Sequence, residues 1–228
     1  GLGFLVILDI GRKRSFKKLC LHSKVVVTMS VILLAAGTLL LKATEDISWL
    51  GAFFQSVSAR TAGFSSYPIG EFTNAGLFVL IILMFIGASP GSTGGGIKTS
   101  TFFALVQATK SAATNQHCSA FHRKLPYEVL SKAFIITFLS MLVVCAGTFL
   151  LCILEPEYTF VQLLFEITSA FGTVGLSTGI TPELGDAGKY IVILTMFIGR
   201  LGPLTIASIW SFRPAAAARY SEESITIG

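Results

Sequence analysis

The sequence predicts an all-α membrane protein made of two parallel repeats, each a membrane span, a shorter half-helix and a second span. Three observations carry that class: too little charge for the apolar content, basic and acidic segments that alternate along the chain, and a self-match at a fixed offset. Of the 228 residues, 53% are apolar and 13% charged, with 19 Phe and a mean hydropathy of +0.75. Soluble domains carry about 25% charged residues. So few charges cannot cover so much apolar surface in water, and the solvent is a bilayer. Intrinsic disorder is excluded on the same grounds, because it needs low hydrophobicity and high charge.

A net charge of +5 and a pI of 9.1 invite a nucleic-acid reading, but the placement of the charges excludes it. Thirteen of the 17 Lys/Arg fall in three stretches: six in 11–24, five in 98–132 and two in 213–228. Most acidic residues lie between them, in 43–74 and 155–189. Alternation of this kind places the basic loops and the C-terminus in the cytoplasm. The four cysteines form no disulfide framework. Cys145 and Cys152 lie in an apolar run, whereas Cys20 and Cys118 lie in basic segments facing a reducing compartment. No pair has metal-site spacing, and His22, His117 and His122 read as solvated.

In chain order, residues 1–10 read as the end of a preceding transmembrane helix and 11–24 as a cytoplasmic basic linker. Val25 to Leu41 supplies 17 uncharged residues, enough to cross ~25 Å at 1.5 Å per residue. Ser48 to Ala59 is a half-helix too short to span. Ala75 to Ile97 supplies 23 uncharged residues, but Gly87, Pro90, Gly91, Gly94, Gly95 and Gly96 crowd its second half. The first repeat covers 25–110 and a linker covers 111–127. The second covers 128–213, with a span over Ala133 to Leu154, a half-helix over Thr159 to Phe171 and a span over Tyr190 to Phe212 interrupted only by Arg200. A tail, 214–228, closes the chain. An offset of 112 lays Phe53 on Phe165, Thr61 on Thr173, Gly63 on Gly175, Ser65 on Ser177, and Met84 to Gly87 on Met196 to Gly199. An offset of 110 lays Gly37-Thr38 on Gly147-Thr148 and Glu45 on Glu155.

Each half-helix runs into a Gly-containing segment: Thr61-Ala62-Gly63-Phe64 and Thr173-Val174-Gly175-Leu176. Non-helical backbone at membrane depth is tolerated where it is buried in protein or lines water. Its carbonyls would replace the hydration shell of an alkali cation, and the negative C-terminal end of the half-helix favours that charge. One Thr-x-Gly is as readily a tight turn capping a buried helix. Two at matching places favour a pore, with the cation on the carbonyls of Thr61, Ala62, Gly63, Thr173, Val174 and Gly175.

These segments resemble the Trk/Ktr/HKT superfamily of K⁺ transporters. The matches are Arg60-Thr61-Ala62-Gly63-Phe64, Thr168 to Ser177, Gly91-Ser92-Thr93-Gly94-Gly95-Gly96-Ile97-Lys98-Thr99 and Gly199-Arg200-Leu201-Gly202-Pro203. The tail ending Ile227-Gly228 is most similar to the bacterial Ktr membrane subunit. That family carries four units around one pore. The resemblance therefore implies the C-terminal half of a potassium-channel-like pore, with these two units third and fourth and the N-terminal half as a missing partner. It further implies K⁺ uptake across the plasma membrane of a bacterium, with Na⁺ dependence left open. It implies a homodimer resting on a ring of cytosolic nucleotide-binding subunits. No covalently bound cofactor, nucleic acid or enzymatic step is expected.

The residues Gly87, Pro90, Gly91, Gly94, Gly95, Gly96 and Lys98 should unwind the second span between Gly87 and Thr101, since each interior Gly costs about 1 kcal/mol of helix propensity and Pro about 3. The expectation is an intramembrane gate beneath the filter. Arg200, near mid-span, costs about 2.5–3.5 kcal/mol on translocon scales and needs a wet cavity or polar partner; it aligns with Ala88 at the head of the loop and is assigned to the gate. Glu166 reads as a brace bonding backbone amides behind the filter. The basic loops can contact anionic headgroups or a cytosolic subunit. Two alternatives are an ATP-linked membrane enzyme using the Gly-rich Lys98-Thr99 stretch, which misses the phosphate-loop spacing by the inserted Ile97, and a proton-coupled or sodium transporter of the same superfamily.

Overall fold

The structure, a computed structural model, describes residues 1–115, 117–203 and 205. The far end of the fourth expected span and the tail 214–228 lie outside the described residues. Helix α1 (Phe4–Lys13) ends where Arg14 turns to φ 49, and a 3₁₀ turn (Phe16–Lys18) leads into α2 (Leu21–Thr44). Cys20 caps α2, its Sγ accepting from the Ser23 amide at 3.5 Å. Helix α3 (Trp49–Ser58) follows, with Ser48 Oγ accepting the Gly51 amide at 3.0 Å. Then come α4 (Asn74–Phe85), capped by Thr73, and α5 (Thr99–Thr114). A two-stranded antiparallel hairpin, β1 (Ser119–Ala120) and β2 (Arg123–Lys124), precedes α6 (Tyr127–Leu154). Helix α7 (Phe160–Gly172) starts in a capping box between Thr159 and Gln162, and α8 (Asp186–Leu201) completes the order.

A long helix followed by a short one thus occurs twice, α2 before α3 and α6 before α7; the helix that follows runs 12 residues in α4 and 16 in α8. The N-caps that place the short helices are the hydroxyl residues opening the expected half-helices, because a Ser or Thr oxygen satisfies amides that have no partner in the first turn. Three expectations need adjustment. The basic linker 11–24 is mostly structured: α1 runs to Lys13 and α2 begins at Leu21, leaving a tighter turn. The linker 111–127 holds the β1–β2 hairpin. The unwound stretch extends from Ile86 to Lys98, one residue earlier than expected at its start and three shorter at its end.

Among the described residues, two helices, Leu21–Thr44 and Tyr127–Leu154, are long and apolar enough to cross a membrane. Helix α4 stops after 12 residues at Phe85, and Pro90, whose ring in a continued helix would clash with the Ile86 carbonyl, keeps the helix from running on through the glycines. On α6, Phe134, Phe138, Met141, Leu142 and Phe149 are exposed, an apolar face of the kind lipid covers. The halves join through α4 and α7: Met84 and Phe165 are fully buried in one core, and Phe85 meets Phe171 at 6.0 Å between ring centroids.

Candidate functional site: two left-handed strands above a glycine loop

Both short helices end by turning their backbone left-handed. Thr61 lies at φ 71 and Thr173 at φ 50, with Gly63 at φ 78 and Gly175 at φ 94 two residues on. Alternating left-handed positions turn the intervening peptides, and glycine takes them without the steric cost a Cβ brings. The amides of these strands cap the helices they leave. Ser58 O accepts from the Ala62 and Gly63 amides at 3.0 and 3.2 Å, and Ser169 O accepts from Val174 N at 2.9 Å. The carbonyls are left over. Among the described residues, no hydrogen bond goes to the carbonyl oxygens of Thr61, Ala62, Gly63, Thr173, Val174 or Gly175. The two strands also touch: a Cβ on Gly63 would overlap the Val174 carbonyl oxygen. Phe64 is 71% exposed and its carbonyl accepts from the Ser58 hydroxyl, so it faces away from the six free oxygens.

Behind the second strand, Glu166 is 3% exposed and saturated. Its Oε1 accepts from Ser177 Oγ (2.8 Å), Thr178 N (2.8 Å) and Thr178 Oγ1 (3.0 Å), and its Oε2 accepts from Thr181 Oγ1 at 2.5 Å. Four donors on one buried carboxylate offset its desolvation and fix the chain just past the second strand. The first strand has a weaker counterpart: Gln55 Nε2 donates to Ser65 Oγ at 2.6 Å, while its Oε1 has no partner. A cavity of about 340 Å³ opens over both strands, lined by Gly63, Ser65, Tyr67, Gly175 and Ser177 among others.

The unwound segment 86–98 folds beneath the strands, held at its neck by a parallel bridge between Ile86 and Ile97. Its glycines press upward. A Cβ on Gly94 would overlap Thr61 Oγ1, and one on Gly95 would crowd Thr173 Oγ1 at 2.5 Å. Polar groups fasten the loop on several sides. Arg200 Nη1 donates to Thr93 O, Lys98 Nζ donates to Gly94 O, and Arg60 Nη2 donates to Gly87 O at 3.3 Å. The Phe4 amide of α1 donates to Gly91 O at 3.2 Å, just past Pro90, and Gly96 lies beside the Met84 and Phe85 carbonyls. Arg200, the penultimate residue of α8 and exposed, thus takes Thr93 O as a polar partner. The sequence did not single out Gln55, Ser58, the Arg60–Gly87 link, or Thr178 and Thr181 as donors.

A family model described as "TrkH: Cation transport protein" matches residues 16–216. Ktr system potassium uptake protein B of Vibrio alginolyticus is 39% identical over 243 residues, covering 100% of this chain and 53% of that protein. Its Bacillus subtilis counterpart is 36% identical, covering 100% and 54%. Potassium/sodium uptake protein NtpJ of Enterococcus hirae is 35% identical, again over 100% and 54%. The crystal structure of the potassium transporter TrkH from Vibrio parahaemolyticus superposes with a TM-score of 0.74 at 19% identity, over 91% of this chain and 48% of that one. That likeness is one of fold. The chain spans about half the length of the curated relatives it matches.

Proposed function

This chain belongs to the TrkH family of cation transport proteins, and on that premise we propose that its two filter strands form part of the path by which a membrane transporter takes up potassium. The supporting observation is the set of six carbonyl oxygens, on Thr61, Ala62, Gly63, Thr173, Val174 and Gly175, that no donor among the described residues reaches. Val174 is buried, Thr61, Gly63 and Thr173 are half-buried, and Ala62 and Gly175 are exposed, the latter to the cavity above the strands. A cluster of carbonyls without protein donors beside open space suits an alkali cation. K⁺ sheds water onto these oxygens while the C-terminal ends of α3 and α7 supply a favourable field. Glu166 and Gln55 hold the strands from behind.

Beneath them, Gly94 and Gly95 lie against the threonines that open each strand, where the loop obstructs an ion leaving inward. Arg200 and Lys98 hold it in that position through the carbonyls of Thr93 and Gly94, and ion passage requires their release. The remaining filter strands come from the segment of the transporter that this chain's relatives carry in addition. A homodimer on a ring of nucleotide-binding cytosolic subunits is the assembly we propose, and the potassium/sodium name of the Enterococcus hirae relative supports sodium involvement. An ATP-linked reading is disfavoured, since Lys98 points at a carbonyl where a phosphate lysine must reach an anion, and the similar proteins bear uptake names.

The test places Gly63→Ser and Gly175→Ser in the full-length chain, in cells dependent on it for K⁺ uptake. A Cβ on Gly63 would overlap the Val174 carbonyl oxygen, while at Gly175, φ 94, a side chain strains the left-handed backbone that turns the strand. K⁺ over Na⁺ discrimination should fall about tenfold, the equivalent of about 1.4 kcal/mol. An unaltered ion-competition profile in both variants makes these segments ordinary turns.

A further inference from the structure

On the basic side of the molecule the two linkers meet. The 3₁₀ turn, the start of α2 and the β1–β2 hairpin enclose a cavity of about 250 Å³, into which Lys17, Lys18, Lys24 and Arg123 converge beside Phe121. Among the described residues the one ion pair is Lys13 with Asp9, at 2.7 Å, so these four cations have no acidic partner. Helix α2 starts at the same place, where Asp9 Oδ2 already accepts from the Cys20 amide at 3.0 Å, so the four cations and not the helix end supply the field for a ligand.

The hairpin is held there against its own preference. Its two-residue turn puts Phe121 at φ 48 and His122 at φ 64, the primed geometry that Asn-Gly adopts freely and bulky residues avoid. What the turn achieves is placement: Phe121 meets Phe16 edge-to-face at 6.2 Å between centroids, with both rings exposed. Exposed aromatic rings beside unpaired cations, at the base of a membrane-spanning helix, match the depth at which aromatics sit among headgroups.

We propose that this cavity binds a phosphate anion, and that its source is the headgroup of an anionic phospholipid of the cytoplasmic leaflet, with Phe16 and Phe121 seated in the interface next to it. Cations close to such a surface attract anionic lipid additively. The site lies outside the ion path, and its test does not depend on ion flux.

Native mass spectrometry of the full-length chain measures association of phosphatidylglycerol, of phosphatidylcholine and of inorganic phosphate as a competitor. Phosphatidylglycerol should bind in preference to phosphatidylcholine. Lys24→Gln should weaken it about fivefold, and Lys17→Gln, Lys18→Gln and Arg123→Gln together about a hundredfold, each charge contributing a similar factor. Phe121→Gly, which relieves the turn while removing one ring, should weaken phosphatidylglycerol binding with the cations intact. Displacement by inorganic phosphate at equal concentration would assign the site to a soluble phosphate and overturn the lipid source. Equal retention of phosphatidylglycerol by the wild-type chain and the triple variant would overturn the site, leaving the cluster to an acidic face of a protein partner.

Discussion

The same four residues, Met-Phe-Ile-Gly, end differently in the two repeats. In the first, Met84 and Phe85 close α4, Ile86 pairs with Ile97 and Gly87 starts the loop; in the second, Met196 to Gly199 stay inside α8. The next four residues decide the outcome. Ala88-Ser89-Pro90-Gly91 places a proline four residues after Ile86, whereas Arg200-Leu201-Gly202-Pro203 extends the helix by two residues before Gly202 stops it at φ 86. A tetrapeptide deep in a span carries little conformational instruction of its own, and the punctuation beyond it sets whether the span continues or breaks.

The repeats also differ in how their strands are held, and that difference predicts the largest effect. Glu166→Ala strands four donors and should cost about 3–5 kcal/mol, whereas Gln55→Ala removes a single bond and should cost about 1 kcal/mol. Thermal unfolding of the full-length chain measures both, and equal losses would erase the asymmetry. Next comes the broken span. Deleting Gly94 to Gly96 removes the segment under Thr61 and Thr173 and should raise ion flux per folded molecule about tenfold, a barrier lowered by about 1.4 kcal/mol.

Arg200→Ala should raise flux by a smaller factor, about threefold, because Lys98 still holds the loop through Gly94. If well-folded loop and Arg200 variants both leave flux unchanged, the loop is no gate. A last pair of effects, on stability alone, sharpens a similarity. Glu45 accepts from the Thr73 amide and hydroxyl at 3.0 and 2.6 Å, and Glu155 accepts from the Gly185 amide at 2.7 Å. Their Ala variants should lose about 1–2 and about 1 kcal/mol respectively, read as shifts in melting temperature.

Much of this was legible because helix ends announce themselves. Ser48 and Thr159 mark both short helices to within a residue, and Pro90 with its glycines marks the break. Other features left weaker signals. Gln55 was hidden by register: the 112 offset sets Phe54 against Glu166, while the residue that braces the first strand lies one position later. The hairpin was missed because Phe121-His122 carries none of the Asn-Gly signal that its geometry normally leaves. Glu45 and Glu155 align at an offset of 110, but their partners Thr73 and Gly185 lie 28 and 30 residues on, a pairing that no local pattern encodes. The fastening of the loop by Arg60 and Phe4 depends on tertiary contact in the same way, whereas Arg200 was marked by its charge within an apolar run.

Those two carboxylates have a mechanical consequence. Each joins the end of one long helix to the start of the next on the acidic side, so every repeat is latched at that end like the fixed pin of a pair of tongs. At the opposite, basic end Asp9 Oδ2 accepts from the Cys20 amide at 3.0 Å, which ties the start of α2 to α1 and not to α4. Any tilting of α4 against α2, or of α8 against α6, therefore pivots about the latched end, and its amplitude grows toward the basic side. The loop carrying Gly94 and Gly95 lies partway along that arm, so it moves by only a fraction of any swing of the basic-side helix ends.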